Sequence, residues 1–201
     1  MTAAPMQAQL IAKVRTPLSM FDVCTAFSFA YTDLEGMLPR AECLAALVGQ
    51  SGHETAGWRS LYCYAFGNAK ATKSHSGHYF QMRCWEIENG KKVWYDPPHH
   101  QTNFQGFLDA PSGAKALFGL LRRRYPQAWA AAQRGDIITM CDRLKFERAP
   151  MMYFTGDLGY YIRGTKLYAQ QAAALIVDSP RLVQPMTGEE WDAFDPKTRP
   201  L

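Results

Sequence analysis

None of the five cysteines of this 201-residue chain is spaced as a CxxC pair, and the sequence holds no HExxH, no Cys/His quartet and no GxSxG elbow. The local signatures of zinc sites, dithiol redox centres and serine hydrolases are therefore missing. His75-x-x-His78 and His99-His100 are the only histidine pairs, and they lack a ligand pattern around them, so no metal or cofactor is expected. Arg122-Arg123-Arg124 is the one basic run and has no interleaved aromatics, which speaks for a solvated helix face and against a nucleic-acid partner. No segment reaches membrane-spanning length, and the N-terminus lacks a basic region followed by an apolar run and a small-residue cleavage site. The expectation is a chain made in the cytoplasm without a signal peptide and without membrane insertion. Internal repeats and low-complexity tracts are absent as well.

What remains is an ordinary globular composition. An apolar share of 47%, a charged share of 20% and a net charge of +4 suit one core-bearing domain with a weak preference for anionic surfaces. Met6, Leu10, Ile11 and Val14 recur at helical spacing, and Pro17-Leu-Ser opens a second helix ended by Gly36. A third helix runs from about Pro39, and Gly57 is expected to end it. An irregular loop follows over 60–77. Tyr79 to Glu88 alternates as a strand, Asn89-Gly90 suits a type I′ turn, and Lys91 to Tyr95 returns, with Pro97-Pro98 as the stop. Helices are predicted from Asp109 to about Tyr125, from Pro126 to Gln133, from Asp136 to about Lys145 and from Tyr160 to Val177. The organisation this predicts is an N-terminal helical segment over 1–38 packed on the core, a main domain over 39–178 and an irregular tail over 179–201.

Within that frame, Leu44, Leu47, Val48 and Ser51 form an apolar helical stripe, and Glu54 continues it seven residues after Leu47. A carboxyl facing inward loses hydration, so its ionised form is disfavoured and it becomes able to donate a proton near neutral pH. Glu54 is thus a candidate general acid. A glycosidase usually needs a second carboxylate, unless an N-acetyl group on the substrate serves. The hairpin offers one: Cys84, Glu86 and Glu88 share a face, opposite Trp85 and Ile87. Trp58, Tyr64, Phe66, Trp85, Tyr153, Tyr160 and Tyr161 supply aromatic surface for sugars, although many of them must be core. His53 and Glu54, adjacent on a helix, face about a hundred degrees apart, which argues against a direct dyad.

Taken together, these motifs resemble the glucosaminidase domains of glycoside hydrolase family 73, lysozyme-like peptidoglycan hydrolases. The resemblance spans roughly residues 40–177. Glu54-Thr-Ala-Gly-Trp58 looks like the family's Glu-Ser/Thr-Gly-Trp with one residue more, and Ala65-Phe-Gly-Asn-Ala-Lys70 is similar to its Asn-Leu-Gly-Asn-Ile-Lys segment, with Ala65 departing from the leading Asn. Phe154-Thr-Gly-Asp-Leu-Gly-Tyr-Tyr161 looks like its Tyr-x-Thr-Asp-x-x-Tyr run. The resemblance implies a mainly α, lysozyme-like α+β fold: a helical core and a small β-hairpin lobe flanking a cleft. It implies cleavage of the β-1,4 glycan backbone of peptidoglycan after N-acetylglucosamine. Glu54 would be the acid, Glu86 the base or electrostatic partner, and Tyr161 the residue that positions the N-acetyl group or stabilises positive charge. Trp58, Phe66, Asn68, Tyr153 and Tyr160 would contact substrate. The same core and the His53-Glu-Thr-Ala-Gly-Trp58 run also look like the acid motif of family 19 chitinases and related endolysins, whose downstream Tyr-Gly-Arg-Gly-x-Gln-Leu segment is absent here. Two rival functions fit the same core: an N-acetylmuramidase and a non-catalytic peptidoglycan-binding module. Without a signal peptide, such a hydrolase would reach the wall through lysis machinery or a secretion apparatus, as a bacteriolytic effector with an inhibitor protein as partner.

Overall fold

The computed structural model describes residues 8–71, 77–88 and 91–183. Six helices are present among them: α1 (Met20–Glu35), α2 (Ala41–Glu54), α3 (Ala110–Arg124), α4 (Pro126–Gln133), α5 (Ile137–Phe146) and α6 (Leu158–Asp178). Their starts are set by local chemistry. Ser19 and Asp22 form a reciprocal capping box at α1, while Asp109, Asp136 and Asp157 each accept the backbone N–H three residues on at α3, α5 and α6. Gly36, at φ 71°, ends α1 in the left-handed region that glycine enters without a Cβ penalty.

The core lies among these helices. Phe27 of α1 meets Phe66 and Phe118 edge-on, both at 5.0 Å between ring centres. The most extensive helix pairing is α2 with α6. It is close because α2 presents Gly49 and Gly52 there: a Cβ on Gly49 would lie 2.5 Å from the Thr165 carbonyl oxygen, and one on Gly52 would lie 2.7 Å from the Tyr168 ring. The two helices that carry Glu54 and Tyr161 are thereby held with their backbones nearly in contact.

The strands are β1 (Gln9–Leu10), β2 (His78–Gln81), β3 (Cys84–Glu88), β4 (Lys91–Tyr95) and β5 (Asn103–Gly106). β2 is the centre of a small sheet, parallel to β1 and antiparallel to β5, and β3 pairs with β4 in register Trp85 to Trp94 and Glu86 to Val93. A second small core of Cys63, Ala65, Phe80 and Phe104 lies under the first sheet. The fold is mainly α, with a helical core and a separate β lobe, as the sequence predicts.

Three local expectations need correction. Residues 8–15 run extended rather than helical: Ile11 N–H donates to the Tyr79 carbonyl, and Leu10 and Val14 stay exposed. The apolar spacing there is met by strand pairing, with Ile11 packed on the small core. Tyr79 to Glu88 is two strands, because the chain pairs with β5 as far as Gln81 and, after Met82 and Arg83, with β4 from Cys84. Finally, α2 stops at Glu54, before Gly57. Thr55 donates both its N–H and its hydroxyl to the Ser51 carbonyl, and Ala56, Gly57 and Trp58 follow with positive φ. The expected turn at Asn89-Gly90, His75, residues 1–7 and the tail beyond residue 183 lie outside the described residues; Leu182, just before that limit, is buried in the main core.

Candidate active site

Glu54 sits on the last residue of α2, where the helix hands over to a turn of left-handed residues. It keeps partial solvent contact, yet its carboxyl is set against α6, where the Tyr161 hydroxyl donates to Oε1 at 2.5 Å. Loss of hydration raises the carboxyl's pKa above the ordinary 4.5, and the Tyr161 hydrogen bond pulls it back only in part. The balance favours a carboxyl that retains its proton closer to neutrality than a free glutamate does.

Tyr161 is itself buried, stacked flat on Phe154 at 3.7 Å with the His53 ring edge-on at 4.6 Å. Its hydroxyl also receives a hydrogen bond from Gln50 Nε2 at 3.1 Å. Gln50 is wholly buried one helical turn before Glu54, and its Nε2 reaches the Tyr153 hydroxyl at 3.3 Å; Tyr153 in turn donates to the Gly67 carbonyl at 3.4 Å. Burial, with the Glu54 carboxyl nearby, pushes both phenols well above their usual range, so they are neutral donors. The Tyr161 hydroxyl, expected to position the substrate's N-acetyl group or to stabilise positive charge, is engaged by Glu54 and Gln50 inside the protein.

The aromatic expectations divide by burial. Trp58 is 3% exposed, with its indole N–H donated to Ser51 Oγ at 3.1 Å, and Phe66 is fully buried against Phe27. Both are structural, and neither offers a face to a sugar. Their positions follow from the turn after α2, which folds Trp58 back onto its own helix. Tyr153 serves through its hydroxyl inside the network. Tyr160 is 63% exposed, and its ring borders His53, the residue before Glu54, at 5.4 Å. Asn68, with φ 45°, lies next to Gly67, in a shallow pocket with Gln105, Phe107 and Leu117 that Glu54 does not line.

Glu86 lies on the hairpin, not in the Glu54 network. Its carboxylate pairs with Lys70 Nζ at 3.0 Å, and Lys70 also donates to the Gln101 carbonyl and sits 4.0 Å above the Phe104 ring. Glu88 accepts the Tyr95 hydroxyl across the strand pair. Trp85 and Trp94 face the other way, about half exposed, with Lys92 Nζ within 4.6 Å of both rings. All five cysteines are free and four are buried; burial raises Cys24 and Cys43 to about 12 and Cys141 to about 11, so these three are unreactive thiols. Among the described residues no cluster of three or more His, Cys, Asp or Glu side chains is arranged to hold a metal ion. Gln50 is the site residue that sequence reasoning missed. The signal for it was a polar side chain one turn before Glu54 on a helix otherwise apolar on that side.

No family model and no curated protein matches the chain. Among solved structures, a C-terminally truncated glycoside hydrolase domain of FlgJ from Salmonella typhimurium is similar, at 19% identity and a TM-score of 0.50, over 78% of this chain and 99% of that one. At that identity the likeness speaks to fold alone. The chain therefore has a lysozyme-like α+β fold, shared with a glycoside hydrolase domain.

Proposed function

We propose that the protein is a glycoside hydrolase that cuts the β-1,4 glycan backbone of peptidoglycan, with Glu54 as general acid. The observation that carries the reading is the Glu54 carboxyl, partly buried at the end of α2 and gripped on one oxygen by Tyr161, on a fold shared with a glycoside hydrolase domain. A raised pKa keeps the proton available; Oε2, the oxygen free of Tyr161, delivers it to the glycosidic oxygen as the C1–O bond breaks. The leaving sugar departs as an alcohol, and water completes C1. That water is activated by a carboxylate on the hairpin, for which Glu86 is the nominee, or the acetamide of N-acetylglucosamine attacks C1 first and water opens the resulting ring. Glu86 is held on the hairpin by its ion pair with Lys70.

The sequence resemblance to family 73 favours N-acetylglucosaminidase specificity, with bacteriolytic action on the wall. Tyr160, exposed and in contact with His53, is available to a sugar on that side of α6. The test is digestion of purified peptidoglycan by the wild type and by Glu54→Gln, with borohydride reduction and mass spectrometry of the fragments. Fragments ending in reduced N-acetylglucosamine, made only by the wild type, are expected. Reduced N-acetylmuramic acid ends would make the protein a muramidase. No release by a folded wild type would leave the peptidoglycan-binding module.

A further inference from the structure

The Gln50, Tyr153, Tyr161 and Glu54 side chains form a continuous hydrogen-bonded row between α2, α6 and the loop at Gly67. Each phenol has a single proton to give. Tyr153 gives its proton to the Gly67 carbonyl, so whatever faces the Tyr153 oxygen from Gln50 must be a donor. That settles which end of the Gln50 amide is the NH2 group. Its second hydrogen then goes to the Tyr161 oxygen, and the Tyr161 proton is left with one acceptor, Glu54 Oε1. The Gln50 carbonyl oxygen is buried with no hydrogen-bond partner, as expected if the amide is held this way by its neighbours against its own preference.

We infer that Gln50 is a positioning residue: by donating to Tyr161 it directs the Tyr161 proton onto Glu54 Oε1 and so confines the acid proton of Glu54 to Oε2. If the amide were reversed, Tyr161 would donate to Gln50 and accept from Glu54, and the acid proton would be drawn into the protein, away from substrate. The inference rests on the reading of Glu54 as general acid for its functional meaning, but the direction of the hydrogen bonds can be tested without activity.

The titratable groups that bear on Glu54 are few. Tyr161 and Tyr153 face it from α6 and the segment before it, Cys141 feels its charge from α5, and His53 precedes it on α2. Burial holds both phenols and the thiol neutral and lowers the His53 pKa, and among the described residues Glu54 makes no ion pair. A shift in its titration therefore reports on the hydrogen-bonded row.

The experiment is a carbon-13 NMR titration of the Glu54 carboxyl in full-length wild type, Gln50→Leu, Tyr161→Phe, the double variant and Tyr153→Phe. Donation by Tyr161 favours the ionised carboxylate, so Tyr161→Phe raises the midpoint. Gln50→Leu frees Tyr161 to accept from the protonated acid and raises it too. In the Tyr161→Phe background, Gln50→Leu produces no further shift. Tyr153→Phe, three hydrogen bonds from Glu54, lets the amide turn over and also raises the midpoint; it keeps the inference testable if Gln50→Leu does not fold. An unchanged midpoint in Gln50→Leu and Tyr153→Phe, or an equal shift with and without the Tyr161 hydroxyl, overturns the inference. In parallel, the alkaline limb of peptidoglycan digestion moves up with the NMR midpoint. Absence of digestion by wild type sinks the hydrolase reading alone, and additive NMR shifts with digestion intact sink the positioning role alone.

Discussion

Gly49→Ala is a sharp test of how the site is held, because it adds one methyl where α2 and α6 leave no room. The new Cβ would lie 2.5 Å from the Thr165 carbonyl oxygen, 2.8 Å from the Ala169 Cβ and 3.0 Å from the Ala169 nitrogen. Two of these are backbone atoms, and none can rotate aside, so relief requires the helices to part. Replacing a helical glycine by alanine gains about 1 kcal/mol of helix propensity. Overpacking costs about 1–3 kcal/mol, and contact with backbone puts this site at the upper end. The net is a loss of about 2 kcal/mol, or about 4–8 °C in Tm for a chain of this size. Gly119 on α3 is the control. A Cβ there meets only the end of the Arg123 side chain, at 3.0 Å, which can swing away. Gly119→Ala should then keep most of the propensity gain and raise Tm by about 2 °C. Differential scanning calorimetry on both variants checks this, and under the proposed function the Glu54 to Tyr161 hydrogen bond, which joins the same two helices, predicts a fall in peptidoglycan digestion for Gly49→Ala alone. A Tm for Gly49→Ala equal to or above wild type would refute the reasoning.

Two further outcomes follow from the site. The folded pKa of Glu54 lies above the 4.5 of a free glutamate, so between those values the native state holds more protons than the unfolded chain, and stability falls as pH rises through that window. Glu54→Gln removes this dependence: its Tm advantage over wild type should be small at pH 4 and grow as the pH rises above 4.5, and a constant difference in thermal melts would contradict the assigned shift. Lys70→Met should loosen the hairpin, since Lys70 ties Glu86, Cys84 and the Gln101 carbonyl to one ammonium. Amide hydrogen exchange should quicken in β3 and β4 while α2 and α6 stay protected; equal protection in the hairpin would show that its own strand pairing suffices.

The parts of the fold legible in the sequence are those set by neighbours along the chain. Ser19, Asp109 and Asp136 mark helix starts, and Gly36 marks an end, because capping is a matter of three or four residues. Glu54 stands out for the same reason, as a carboxylate on an apolar stripe. Burial of individual aromatics was not legible in this way. Trp58 and Phe66 have the composition of a sugar platform, but a left-handed turn and an N–H to Ser51 fold one inward, and Phe27 closes over the other. The split of Tyr79–Glu88 was equally hidden, because alternation is the same in both strands and only the partners, β5 and β4, differ.

The sequence by itself determined most helix starts, the returning strand of the hairpin and the placing of Glu54 at the end of α2, since each depends on spacing and local hydrogen bonding. Only the tertiary structure decided which groups surround the Glu54 carboxyl. Gln50 and Glu54 are four residues apart, but Tyr153, Tyr161 and Gly67 reach them across some hundred residues or from another loop. The direction of a hydrogen bond depends on every partner in the row, so it exists only once α2 and α6 are packed through Gly49 and Gly52.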